Sequence, residues 1–393
     1  MTERTNMGEE RLAERRGYQG VWLMIIISAL LCLGALMVFS AGASVDQQID
    51  LRRFWKYATM RRVAFVPIVW VVLAIASCFN YRRWVVNERN FWLSPILYLL
   101  LFSVVMLGLV LIPGIGTEVN QSRRWLRFGS GEYSFTFQPS EMAKWCTVMF
   151  LAGYAVHRKE KIRRFWGGFV PACAVLMLVV GLIGVEDFGT AALVGAMGVV
   201  VLLVGGVRWW HLLVLIPLAA VAFYFLVYCN DYRWSRVLAY WHGSDGTNEM
   251  ASAYHAQQSI MAIGAGGIWG LGLGNGTIKF GWVPEDTTDF VFAVISEELG
   301  LVGCGIVIGL FILLLVCSIF IIRRAPDALG KLLGVAIAGM IGAQAVMNLM
   351  VVSGLAPTKG IALPFVSAGG TGLVITAVAT GVLVNIARQG RIE

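Results

Sequence analysis

Apolar residues in this chain gather into long uninterrupted blocks instead of alternating with polar ones. Ten blocks lie at about 20–41, 60–79, 91–112, 139–157, 165–184, 188–206, 209–229, 290–322, 330–353 and 366–388. A helix crossing the hydrocarbon of a bilayer needs about 20 mostly apolar residues, and the blocks are near that length. They lack the two-residue alternation of a lipid-facing strand, so they predict helices and not a barrel. The expected fold is an all-α polytopic membrane protein with about ten transmembrane helices in one membrane domain, residues 20–388. The polar N-terminal stretch is too long before the first block for a cleaved leader, so Val21 onward is expected to be a retained span.

The segments between blocks set the expected orientation. Lys and Arg concentrate on alternate segments: Arg4, Arg11, Arg15 and Arg16; Arg82, Arg83 and Arg89; the "HRKEKIRR" loop; Arg208; Arg323, Arg324 and Lys331; Arg388 and Arg391. Together these are 18 of the 31 basic residues. Short loops rich in Lys and Arg stay in the cytoplasm. The tails at 1–19 and 389–393 are therefore expected inside, and 42–59, 113–138, 230–289 and 354–365 outside. The outer segment 230–289, between helices 7 and 8, is about sixty residues long. Loops of that length usually carry function. Within it "SAYHAQQSIMAIGAG" has helical spacing, with Tyr254, Gln258 and Met261 on one side, and predicts a short helix near the interface.

Composition adds little beyond confirming the class. Hydrophobic residues make up 58% and charged residues 14%, with mean hydropathy +0.74. The net charge of +8 fits inner loops facing anionic lipid. Nucleic acid is excluded as a partner, because no basic cluster has a soluble domain to sit on. The seven cysteines lie in or beside apolar blocks without metal-ligand spacing, and read as small packing residues. The inner loops are too short for a catalytic domain.

Five stretches carry candidate chemistry. "GAGGIWGLGLGNG" (264–276) lacks the strand before it that a dinucleotide fingerprint requires, and predicts a backbone turning tightly beside the membrane. In "QPSEMAK" (138–144), Glu141 and Lys144 stand three apart on a predicted helix and can pair, with Pro139 suited to its first turn. "VNQSRRWLRFG" sets Arg123 and Arg124 beside Trp125, as interfacial anchors or as a guanidinium fork for a phosphate. "PTKGIALPFVSAGGTG" interrupts the approach to the last block, and Lys359 sits at that interruption. Broken backbone at membrane depth is tolerated only against protein or a polar cavity. Last, "VPEDTTDF" puts Glu285, Asp286 and Asp289 before the 290–322 block. Helix capping accounts for acidic residues there as a group, with Asp286 as N-cap. It does not require a carboxylate at 289.

Taken together, these stretches resemble the FtsW/RodA family of membrane glycosyltransferases (SEDS proteins) over about residues 20–388. The most specific piece is "PTKGIALPFVSAGGT", and Thr358-Lys359 is similar to the division branch. "AYHAQQSIMAIGAGGIWGLGLGN", "VPEDTTDFVFAVISEELGLVG", "RRWL", "QPSEMAK" and "DFGT" (187–190) add further matches. The chain departs from the family pattern at Thr287, Glu186, Ala368 and Asn120-Gln121.

The resemblance implies polymerisation of lipid II into glycan strands during septal wall synthesis, by inverting transfer with release of undecaprenyl pyrophosphate. It implies Asp289 as the catalytic carboxylate. Substrate-binding residues would be Arg124, Gln138, Glu141, Lys144, Gln258, Ser259, Glu285, Lys359, Ser367, Gly369 and Gly370. Partners would be a class B penicillin-binding protein of the FtsI type and other divisome membrane proteins, at the bacterial inner membrane. A divalent cation (Mg or Mn) bridging the diphosphate is compatible with this chemistry, though the sequence offers no dedicated cage. A flippase for lipid-linked precursor and a non-catalytic scaffold remain open as other classes.

Overall fold

The computed structural model describes residues 2–42, 58–85, 91–119, 122–129, 135–242, 250–276, 289–357, 359–367 and 369–390. The acidic positions Glu285 and Asp286, the departures at Thr287 and Ala368, and Thr358 lie outside the described residues. All ten apolar blocks are helical. α1 (Thr2–Gly42) and α2 (Ala58–Cys78) form the first two, followed by a single turn, α3 (Tyr81–Val85), and α4 (Pro95–Leu111). α5 (Pro139–His157), α6 (Val170–Glu186) and α7 (Phe188–Val204) come next. The seventh block is interrupted: α8 (Trp209–Leu212), α9 (Leu215–Phe223) and a π-helical turn at Tyr224–Tyr228. The long outer segment supplies α10 (Asp231–His242) and α11 (Met250–Gly266), the second where a helix is expected. α12 (Val291–Arg324), α13 (Ala328–Val352) and α14 (Gly370–Arg388) complete the chain.

Helix starts follow local chemistry. Proline occupies the first turn of α4 and α5, after Ser94 and Gln138, where its missing N–H costs nothing and its fixed φ suits a helix. Asp187 caps α7 by accepting from the Thr190 amide at 3.1 Å, and Asp327 caps α13 through Gly330 N at 2.7 Å. Asp327 also takes Tyr81 Oη at 2.8 Å and Arg82 Nε at 2.7 Å, so the α2–α3 connection is latched to the start of α13.

Among the described residues, six helical stretches are long and apolar enough to cross a membrane, and three shorter apolar helices (64–78, 95–111 and 188–204) accompany them. The remaining block is α5, which carries Glu141 and Lys144. α13 and α14 lie mostly inside the bundle, with α14 packed along α2, and α1 packed along α12. Trp209–Tyr228 turns nearly all its side chains outward, including Ile216, Val221 and Phe225. This is a multi-pass membrane protein.

Two features depart from the expected all-α bundle of straight spans. The 113–138 segment forms a three-stranded antiparallel sheet, β1 (Gly116–Val119), β2 (Ser122–Phe128) and β3 (Phe135–Phe137), in the order β1-β2-β3. Pairing along the chain satisfies backbone groups that a loose loop over the bundle would leave exposed. The second departure is a break in α12 at Gly300, whose φ of 64° and ψ of −160° are not helical. The glycine-rich segment fills the break. Leu271 N and Gly272 N donate to the Glu297 and Glu298 carbonyls, each at 3.0 Å, while Leu301 N and Val302 N donate to Gly267 O and Ile268 O at 2.9 and 3.3 Å. Positive φ at Gly267, Gly270, Gly272 and Gly274 makes this path possible. The tight turn expected from the sequence therefore serves as the missing partner of a broken helix.

Candidate functional site

The segment 359–363, between α13 and α14, is the axis of the site. Gln344 and Asn348 stand four apart on α13 and so share one face. Gln344 Nε2 donates to Ala362 O at 2.8 Å. Asn348 Nδ2 donates to Ile361 O at 2.7 Å and to Asp289 O at 2.9 Å. One side chain thus ties the residues ahead of α12 to the 359–363 segment. A turn at its far end is closed by Ser367 Oγ, which accepts from Leu363 N at 2.7 Å. Phe365, nearly fully buried, has a φ of 64°; a left-handed conformation at a bulky residue is held by its surroundings at a cost of order 1–3 kcal/mol.

Glu141 and Lys144 pair as their spacing predicts, at 2.8 Å. Lys144 also donates to Gln344 Oε1 at 2.8 Å and is 1% exposed. The Glu141 carboxylate lies against the first turn of α14, for a Cβ on Gly372 would stand 2.8 Å from its Oε2. The positive end of that helix favours an anion. Asp289 sits two residues before α12, whose N-cap position is Phe290, without a side-chain capping bond. The N-cap of α12 is therefore Phe290 and not Asp289. Its carboxylate lies instead against the 359–363 segment: a Cβ on Gly360 would come 2.5 Å from Asp289 Oδ2.

A second group of charges surrounds the α6–α7 turn. Arg124, on β2, donates through Nε to Glu186 O at 3.1 Å and approaches Asp187 Oδ2 at 3.6 Å. Arg123 N donates to Glu186 Oε2 at 2.7 Å. Lys359 reaches the same turn, with Nζ 4.5 Å from the centroid of the Phe188 ring. Arg233, on α10, donates to Gly184 O at 2.9 Å, to Leu226 O at 2.8 Å, and to Val185 O. Burial holds the Lys359 ammonium below the ordinary lysine range; Asp187 opposes the shift, and Arg233 and Arg236 add to it. Burial likewise lowers Arg233, reinforced by Arg124 and Arg236 and opposed by Glu186 and Asp187.

The other expected site residues are more dispersed. Gln138 is the N-cap position of α5, without a side-chain bond. Ser259 is buried on α11 and donates to Val352 O at 2.7 Å, tying α11 to the end of α13; Gln258 beside it is half-buried. Gly369 and Gly370 begin α14, where a Cβ at 370 would meet the Phe65 ring at 3.4 Å. Glu285 lies outside the described residues. Sequence reading missed Gln344, Asn348, Asp187, Arg233 and Arg236. For the first two a signal existed: two polar residues at helical spacing within an apolar span.

Comparison with known proteins gives one answer. The sequence profile of the "Cell cycle protein" family of FtsW, RodA and SpoVE matches residues 21–392. A protein of Geobacter metallireducens called probable peptidoglycan glycosyltransferase FtsW is 35% identical over 96% of both chains. Stage V sporulation protein E of Bacillus subtilis is 35% identical over 94% of this chain and 97% of its own. The solved structure of RodA from Thermus thermophilus superposes with a TM-score of 0.64 at 26% identity, over 94% and 97% of the two chains. A chain from a peptidoglycan synthase complex that coordinates polymerization and crosslinking superposes at 0.73, with 27% identity and coverage of 93% and 96%.

Proposed function

The chain belongs to the FtsW/RodA/SpoVE family, and from that premise we propose that it is a peptidoglycan glycosyltransferase polymerising lipid II in cell division. One observation supports this reading most. Asp289, a half-buried carboxylate, rests on Gly360, next in the chain to Lys359, which reaches the cations around the α6–α7 turn. The reaction needs these two things side by side, a base for the acceptor 4-hydroxyl and positive charge for a departing diphosphate.

In the proposed step Asp289 accepts the hydroxyl proton while the oxygen attacks the anomeric carbon. The C–O bond to the diphosphate breaks on the opposite face, with inversion. No covalent nucleophile is required. A positioned base supplies about 10²–10⁴ in rate, and fixed cations at the leaving group supply several kcal/mol more. Glu141 and Lys144, neutralising each other inside the bundle, hold the wall of the site. Among the described residues no three His, Cys, Asp or Glu side chains gather to hold a metal ion. No step here uses one.

The proposal extends to topology and partner. All ten helical blocks cross the inner membrane, with both termini cytoplasmic and the site at the outer face. A single-span class B penicillin-binding protein docks there to crosslink the new strands at the septum, as the related synthase complex couples the two activities. Purified protein with such a partner, given labelled lipid II, should yield glycan chains. Transbilayer movement of lipid II without polymer, or neither, overturns the assignment. Cysteine probes at Ser130 and Ser244 should react from outside, and labelling only after the inner face is opened overturns the topology.

A further inference from the structure

The break at Gly300 makes the outer part of α12 a short helix of its own. Residues 291–298 are all buried, so the bundle encloses this part on every side. Beyond the break, Leu301 and Val302 give their amides to Gly267 and Ile268 instead of to Glu297 and Glu298. The two parts of α12 therefore meet through the glycine-rich segment and not through their own ladder. Side-chain hydrogen bonds reach the outer part from other helices at both ends. At one end Asn348, on α13, grips Asp289 O at 2.9 Å. At the other, Glu298 Oε2 accepts from Ser40 Oγ of α1 at 2.6 Å. Glu298 is 0% exposed, and its second oxygen, Oε1, is buried without a hydrogen-bond partner. Among the described residues no Lys, Arg or His forms an ion pair with it. An orphaned buried oxygen costs stability, so stability is not what this acid supplies. An ionisable side chain inside a span points to function.

We infer that Glu298, held by Ser40, is a positioning residue for Asp289: it sets the rotation of the outer part of α12, and with it the place of the carboxylate. This rests on the glycosyltransferase reading and assigns α1 a share in the site. Glu298 stands two helical turns beyond Val291, about 10 Å along the axis. A hydrogen-bonded helix that short turns as one piece, so a rotation at its inner end arrives at its outer end. Side chains reach about 5–6 Å from the axis, and a turn of roughly 10° moves one by about 1 Å. A reacting group displaced that far loses on the order of 10² in rate. Glu298 is sealed away from the reacting atoms, so its loss should lower kcat and leave substrate affinity alone.

The test uses the full-length protein in nanodiscs and reads position and turnover separately. Hydrogen–deuterium exchange needs no turnover, and so separates this inference from the reading beneath it. Ser40→Ala and Glu298→Leu should each raise exchange across 290–298 at least about threefold, with α13 exchanging as in the parent. In the lipid II polymerisation assay each should lower kcat about tenfold, with KM within about twofold of the parent. Ser40→Thr keeps the donor and Glu298→Gln keeps the acceptor, and both should restore most of the rate. Combining Ser40→Ala with Glu298→Leu should be no slower than the worse single variant, because both remove one bond. Ser28→Ala, whose hydroxyl bonds within α1 to Met24 O, should change nothing. Parental exchange or parental kcat in Ser40→Ala overturns the inference. So does a rise in KM alone, a loss that Ser40→Thr does not restore, or losses that add in the double variant. Should Glu298→Leu fail to fold, Ser40→Ala and Ser40→Thr decide alone, from the other side of the same bond.

Discussion

The two polar regions flanking Lys359 are built on opposite principles. Around Asp289, Glu141 and Lys144 the lysine is buried, the two carboxylates are half-buried, and the network is matched: Lys144 finds both Glu141 and Gln344, and Asn348 holds two carbonyls at once. Around the α6–α7 turn the charges are half-open and mismatched, and burial and neighbouring arginines push Lys359 toward its neutral form. A matched network fixes geometry and gains little from a ligand. A mismatched one can still take an anion. On the proposed function, the first region positions the chemistry and the second recognises charge.

The largest effect tests the one group in the matched region that has chemistry to perform. Asp289→Asn keeps shape and polarity but accepts no proton, so lipid II polymerisation should fall by about 10²–10⁴ while folding and partner binding persist. Residual polymerisation within a few fold of the parent removes the base assignment.

Lys144→Met separates matched from mismatched most directly. It leaves Glu141 in the bundle without its cation, and losing one partner of a buried pair costs about 3–5 kcal/mol. Thermal unfolding in detergent should show a large fall. A parental melting temperature would mean that the pair is solvated and the contrast false.

Asn348→Leu should cost about tenfold in kcat, with KM nearly unchanged, because the loss of roughly 1–1.5 kcal/mol per hydrogen bond frees Asp289 from Ile361. Gly360→Ala, which crowds the Asp289 carboxylate directly, should reproduce this signature. A rise in KM alone would move Asn348 into the binding region.

The pH dependence sharpens the other side. Lys359 has its folded pKa depressed, so it loses its proton on the alkaline side before an ordinary lysine does, and substrate affinity should weaken there first. Lys359→Arg should flatten that alkaline fall in 1/KM. The smallest effect is expected at the latch beyond the site: Arg82→Gln breaks an ion pair whose side chains are 44% and 31% exposed, for less than about 1 kcal/mol.

Much of this was legible in the sequence, and the rest was hidden for identifiable reasons. The ten blocks could be read because apolar length alone decides what a bilayer accepts. Glu141 and Lys144 could be paired because their partner lies one turn away. Asp289 was reached through family resemblance, since the local pattern equally suits a helix start; the structure puts Phe290, not Asp289, at the N-cap of α12. Asn348 escaped notice because its partners, Ile361 and Asp289, stand 13 and 59 residues away. Arg233 and Arg236 were passed over inside a long outer segment whose contact with α6 no local pattern announces. The sheet was missed because the search was for apolar runs, and "SRRWLRF" shows no clean alternation. The break in α12 falls in a continuous apolar block, where one glycine among 45 carries no mark of its φ.

That break makes the 266–272 segment a fixed-length part. Its amides and carbonyls stand in for one missing turn of α12, donating at Leu271 and Gly272 and accepting at Gly267 and Ile268. A single inserted or deleted residue between those positions would put the two pairs out of phase. Backbone groups would then lose their partners, at about 0.5–1.5 kcal/mol for each hydrogen bond. Substitutions that respect the turn can be absorbed here, but changes in length cannot. The loop is a gauge cut to the gap it fills, and this segment tolerates a change of spelling better than a change in its count of residues.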